Sequence, residues 1–160
     1  MTGDIVIAGC GNLLRGDDAA GPILVRKIWE LGCPSGVRLV DGGTAGMDVA
    51  FQMDGAKHVV IVDACKSDSE PGTVFEIPGE DVEAPPLEGM NLHAFRWDNA
   101  IAFARWLLKD RYPEKVTVIL IEAQQLDHGA PLSDAVSASV ERVARDLIAR
   151  FTPTEVNGSA

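Results

Sequence analysis

Four apolar runs in this chain lack the strict polar alternation of a strand with one wet face: Ile5-Val6-Ile7-Ala8, Val37-Arg38-Leu39-Val40, Val59-Val60-Ile61-Val62 and Val116-Thr117-Val118-Ile119-Leu120-Ile121. Strands of that kind are covered on both sides, the condition of a parallel sheet wrapped by helices. Helical patterns separate the runs. The sequence therefore predicts an α/β fold in three layers: a twisted, mostly parallel five-stranded sheet with one antiparallel strand, and helices on both faces.

Taken in order, strand one covers about Asp4 to Ala8, and Leu24, Ile28 and Leu31 at helical spacing predict a helix from about Ala19 to Leu31 that Gly32 ends. Val37 to Asp41 is strand two, followed by Gly42-Gly43-Thr44-Ala45-Gly46 and a short helix near Met47 to Met53. His58 to Ala64 is strand three. The turn signal Ser67-Asp68-Ser69-Glu70-Pro71-Gly72 leads to a strand at Thr73 to Ile77, antiparallel because the connection is too short for a crossover. Pro78 to Met90 reads as a surface loop. Asp98 is the expected N-cap of a helix through Lys109 whose apolar face comprises Phe103, Trp106 and Leu107, and Trp29, Trp97 and Trp106 are read as packing residues. Lys115 to Glu122 is the last strand. Ser133 caps the final helix, in which Val136, Val140, Val143, Leu147 and Phe151 recur at helical spacing. Residues 1–151 are expected to form one domain and 152–160 a disordered tail.

Composition narrows the partners. With 24 acidic against 14 basic side chains the net charge is -10, which opposes binding to nucleic acid or to anionic membranes. Cys10, Cys33 and Cys65 are odd in number and form no CxxC pattern, so reduced thiols in a cytoplasm are expected. No apolar run approaches the roughly 18 residues of a membrane span, and Asp4 stands where an export signal would be basic. The expectation is a soluble cytoplasmic monomer.

In an open parallel sheet the ligand crevice lies outside the carboxyl ends of the strands, where the strand order reverses. Asp17 and Asp18 follow strand one, Asp41 ends strand two and Asp63 ends strand three, so three neighbouring loops each bring a carboxylate to one edge. His93 reaches that edge from the loop before the third long helix. Carboxylates with an imidazole and open positions suit a divalent transition metal such as nickel or zinc. Asp17 is the expected helix cap of the acidic pair, leaving Asp18 to point outward. His58, at the opposite end of strand three, is read as structural, whereas His128 follows the last strand on the crevice side. Cys10 is read as a small buried hydrophobe behind the strand, with nucleophilic use as the alternative. The glycine turn Gly9-Cys10-Gly11-Asn12-Leu13-Leu14 lacks the Gly-Lys of a phosphate loop, and Leu14 replaces the third glycine of a dinucleotide fingerprint. Neither a Ser-His-Asp order nor a His-Glu-x-x-His helix is present.

Gly9-Cys10-Gly11-Asn12-Leu13-Leu14-Arg15-Gly16-Asp17-Asp18, then Asp41-Gly42-Gly43-Thr44-Ala45-Gly46, then Val60-Ile61-Val62-Asp63-Ala64, then His93 resemble, in order and spacing, the nickel-iron hydrogenase maturation endopeptidases. The resemblance covers nearly the whole chain. It implies a protease that removes the C-terminal extension of the hydrogenase large-subunit precursor after nickel insertion, with nickel supplied by that precursor. It also implies that Asp18, Asp63 and His93 are the catalytic, metal-contacting residues, and that Asp41, Gly42, Gly43 and Thr44 belong to the segment that senses nickel in the substrate. The chain departs from the family in having Asp18 where many members carry Glu, and Glu122-Ala123-Gln124-Gln125 where a Gln-Pro pair often stands. The alternatives are a non-catalytic nickel-binding or docking protein and, behind it, a dinucleotide-binding domain.

Overall fold

The computed structural model describes residues 4–43, 46–81 and 97–154. Its sheet has the order β2-β1-β3-β5-β4, built from β1 (Ile5–Cys10), β2 (Val37–Gly43), β3 (His58–Cys65), β4 (Val74–Pro78) and β5 (Lys115–Glu122). β4 alone runs antiparallel, pairing Phe75 with Leu120, while β1 pairs in parallel with both β2 and β3. The helices are α1 (Ala20–Leu31), α2 (Gly46–Gln52), α3 (Trp97–Leu108) and α4 (Asp134–Phe151).

Strand residues of alternate parity face opposite ways, and the apolar runs use both faces. Val6, Ala8, Val59, Ile61, Val116 and Val118 form one core with Val49 of α2, Met53 just beyond it, and Ile101, Ala104 and Leu108 of α3. Ile7, Val60, Val62, Ile119 and Ile121 form the other with Leu24 and Ile28 of α1 and Val136, Val140 and Leu147 of α4. This is the expected three-layer arrangement. Gly32, in a positive-φ conformation, ends α1, and the Ser133 side chain accepts from the Val136 amide to cap α4.

Several local expectations are corrected. α3 buries Ile101, Ala104 and Leu108 rather than Trp106, which is 61% exposed, and Trp29 is 74% exposed. On a helix the buried stripe follows whichever residues abut the sheet. Here small and branched side chains fit that contact, and Trp106 lies against Phe103 on the outer side, ring centroids 5.9 Å apart. α3 spans Trp97–Leu108, so Asp98 lies within its first turn rather than capping it, and Lys109 opens a separate 3-10 turn. The strands at the crevice are longer than expected, β1 reaching Cys10 and β2 reaching Gly43, because a register shift at Gly9/Cys10 lets Cys10 pair with Gly43. Most of the Pro78 to Met90 loop, the side chain of Trp97 and the end of the tail lie outside the described residues.

Candidate active site

The chain leaves β1 toward β2 on one side of the sheet, and β3 lies on the other side, so the strand order reverses between β1 and β3. The crevice expected of such a sheet opens beyond their carboxyl ends. Glycines bring the main chain together there. A Cβ on Gly21 would lie 2.3 Å from the Cys10 carbonyl oxygen and 2.5 Å from that of Val62, so the first turn of α1 sits directly on the ends of both strands. Gly11 has φ +138 and would place a Cβ 1.9 Å from the Asp18 carbonyl oxygen, which allows the loop to double back on itself.

The adjacent carboxylates of that loop separate in use. Asp17 is 0% exposed and caps no turn of its own. Its Oδ2 accepts from the amides of Gln124 (2.8 Å) and Gln125 (3.1 Å) and from the Ser133 hydroxyl (2.9 Å), and its Oδ1 accepts from the Ser133 amide (2.7 Å). The Asp17 amide in turn donates to the Gln125 carbonyl, 2.9 Å. Asp17 thus clamps the β1–α1 loop to the β5–α4 loop and to the start of α4, correcting its expected role as a local cap. Asp18 is half-buried, and its Oδ2 accepts from the Asn12 amide at 3.0 Å. That bond occupies an amide that a bound phosphate would have used, so the glycine turn is shaped around a protein carboxylate rather than around a nucleotide.

Asp63, near the end of β3, is 6% exposed, with Oδ1 accepting from the Ala64 amide at 2.7 Å. Asp41 is exposed and closes an Asx turn, its Oδ1 accepting from the Gly43 amide at 3.1 Å. Gly42 is buried beneath that turn, where a Cβ would stand 2.6 Å from the Val49 side chain and 3.3 Å from Cys10 Sγ. Cys10 is therefore a contact point for this side of the crevice. Its thiol is held far above the ordinary cysteine range by burial and, after that, by the charges of Asp63, Asp41 and Asp18. Asp41 and Asp63 lie near the ends of their strands and Asp18 in the turn after β1, and the charge of each disfavours a thiolate at Cys10. The same effect keeps Cys10 protonated and makes it a poor nucleophile.

His93 and Thr44 lie outside the described residues. Among the described residues no group of three His, Cys, Asp or Glu side chains could hold a metal ion. The carboxylates of Asp18 and Asp63 are hard oxygen donors with a suitable charge for a divalent cation, so the chemistry of the donor set fits one whose other ligands come from elsewhere. His58 is at the opposite end of β3, with Nε2 2.9 Å from Thr117 Oγ1 and its ring edge-on to Phe151, as a structural histidine should be. His128 is exposed and forms an isolated antiparallel bridge with Arg15, placing it on the loop that pairs with the β1–α1 turn.

Sequence reasoning did not single out Glu122 for a role. This buried carboxylate at the end of β5 accepts from the Ser67 amide (2.8 Å), the Ser67 hydroxyl (2.9 Å) and the Ser69 amide (2.7 Å), and from Cys65 Sγ at 3.3 Å. Burial works to raise its pKa, but the bonds from Ser67, Ser69 and Cys65 outweigh burial and hold it below the ordinary glutamate value. The Cys65 thiol is pushed up to about 12, by burial first and then by its bond to Glu122. Glu122 fixes the turn that follows Asp63. The available signal was an acidic residue terminating an otherwise apolar strand.

Comparison with known proteins agrees with this architecture. A family model described as hydrogenase maturation protease matches residues 23–150. The hydrogenase 2 maturation protease of Escherichia coli is 28% identical over 95% of this chain and 93% of its own length. A hydrogenase expression/formation protein of Azotobacter vinelandii is 32% identical over 91% of this chain and 72% of its own length. Among solved structures, the hydrogenase maturating endopeptidase of E. coli superposes with a TM-score of 0.76 at 27% identity, covering 94% of this chain and 91% of that one.

Proposed function

The chain belongs to the hydrogenase maturation protease family, and from that premise we propose that it is an endopeptidase removing the C-terminal extension of a nickel-iron hydrogenase large-subunit precursor once nickel has been inserted. The observation that carries this reading is the placement of Asp18, Asp41 and Asp63 at the carboxyl ends of the neighbouring parallel strands β1, β2 and β3, at the switch point of the sheet.

In this reading the nickel arrives as part of the substrate. Asp18 and Asp63, with His93, engage it, so that a metal already ligated by the precursor becomes the mark that locates the scissile peptide. The metal supplies positive charge that can polarise a carbonyl or acidify water. Asp18 is suited to its part because the Asn12 amide holds one of its oxygens and fixes the carboxylate's direction. Asp63 is nearly buried on a central strand, which limits its freedom in the same way. The Asp41-Gly42-Gly43 turn borders the crevice as a preformed rim against which the surroundings of the nickel are read.

Processing of nickel-loaded precursor by the purified protein, followed by mass spectrometry, tests the proposal. Wild type should release the C-terminal extension as one peptide, and Asp63→Asn should abolish release while leaving the melting temperature near that of wild type. A wild-type protein that binds the precursor but never shortens it would favour the non-catalytic docking reading instead.

A further inference from the structure

We propose that Leu13 and Leu14 seat an apolar residue of the precursor's polypeptide beside the scissile bond, making the turn between Asn12 and Arg15 a specificity element of the site. This inference rests on the protease reading above. Leu14 is 71% exposed and Leu13 is 40% exposed. A single exposed leucine is unremarkable on a protein surface. Here, however, two adjacent ones project from a turn whose main chain cannot retract them. The Leu14 amide donates to Asn12 Oδ1 (2.9 Å), and the Leu14 carbonyl accepts from the Gly129 amide (2.8 Å). The Arg15 amide donates to the Asn12 carbonyl (3.2 Å) and Arg15 Nε to the Leu126 carbonyl (3.2 Å).

The same turn is continuous with the crevice, because the Asn12 amide holds the carboxylate of Asp18. A partner covering these leucines therefore lies next to the proposed site carboxylate, and for a protease that partner is the polypeptide being cut. Because the turn is already held by these hydrogen bonds, ordering it adds little to the entropic cost of binding. Losing one such buried contact weakens binding by about tenfold.

The test uses nickel-loaded precursor with wild type, Leu14→Ser, the double variant Leu13→Ser/Leu14→Ser, and Leu14→Met as the conservative control. Cleavage kinetics and direct binding are both measured. The expected result is a rise of about tenfold in KM and Kd for Leu14→Ser, a larger rise for the double variant, little change in kcat, unchanged melting temperatures, and near-normal values for Leu14→Met. Unchanged KM and Kd in the serine variants would overturn the inference and leave the protease reading intact. Serine variants that only convert a self-associated protein to monomers, with KM unaltered, would overturn it too. If wild type binds but does not cut, and the serine variants bind more weakly, the docking role stands and the protease reading falls. If wild type neither binds nor cuts, both fall.

Discussion

Burial divides the labour between the neighbouring carboxylates of the first loop, since Asp17 spends its oxygens on four donors from distant chain while Asp18 keeps a half-exposed carboxylate at the crevice. Asp17→Ala would remove the acceptor of the Gln124, Gln125 and Ser133 amides and of the Ser133 hydroxyl, so a loss of about 3 kcal/mol is expected, or roughly 10 °C in Tm for a chain of this size. Ser133→Ala, which removes one bond to Asp17 and the cap of α4, should cost about 1 kcal/mol. Thermal melts of both variants check this ordering, and an Asp17→Ala melt matching wild type would contradict it. The sequence disclosed that a turn carried two acids, but not how they differ, because the partners of Asp17 lie 107 to 116 residues further along. The thiols give a second check at this scale. The Cys10 thiol is held far above its ordinary range by burial and then by the charges of Asp63, Asp41 and Asp18, and Cys65 is pushed up to about 12, so neither should be alkylated by iodoacetamide at pH 8 in the native protein. Mass spectrometry of native and urea-treated samples should show those sites labelled only after unfolding.

Close contact between elements depends on α1 starting directly on β1 and β3, and two glycines permit it. A Cβ on Gly9 would stand 2.2 Å from the Gly21 carbonyl oxygen, and one on Gly21 would meet two strand carbonyls. Gly21→Ala must therefore push α1 off the sheet, and it is expected to destabilise far more than the ~1 kcal/mol typical of point changes. Near-normal Tm in Gly21→Ala would contradict the contact. Glu122 performs a comparable joining role between β5 and the turn after β3. Its pKa is depressed in the folded state, so its stabilisation is present above the unfolded value near 4.5 and is lost as pH falls through the lower folded value. Urea unfolding should accordingly show Glu122→Gln less stable than wild type at pH 7, with the gap narrowing below about pH 4.5. A pH-independent gap would show that the charge of Glu122 contributes nothing. The strands were legible because apolar runs have one meaning in a doubly covered sheet, and Ser133 was legible because capping is local. The face of α3 was legible only in part: Phe103 and Leu107 do pack against the core beside Ile101, Ala104 and Leu108, but the large apolar Trp106 lies on the outer side.

For the molecule as a whole, the strand order β2-β1-β3-β5-β4 is what converts separate sequence motifs into one site. Asp18 and Asp63 are 45 positions apart, yet one follows β1 and the other lies near the carboxyl end of β3, the strand paired in parallel beside it. That juxtaposition could be read from the sequence once the runs were recognised as parallel strands, because every parallel strand delivers its following loop to the same edge. The clamp between the first and last crevice loops could not, since nothing local to either loop names the other. The proposed recognition of nickel held in the precursor fits this placement, because carboxylates gathered at one sheet edge favour a substrate marked by a cation. The most direct measurement compares the rates at which the purified protein shortens nickel-loaded and nickel-free precursor under otherwise identical conditions. Rapid release of the C-terminal extension from the loaded form with negligible release from the nickel-free form is the predicted result, whereas equal rates would contradict recognition through the metal.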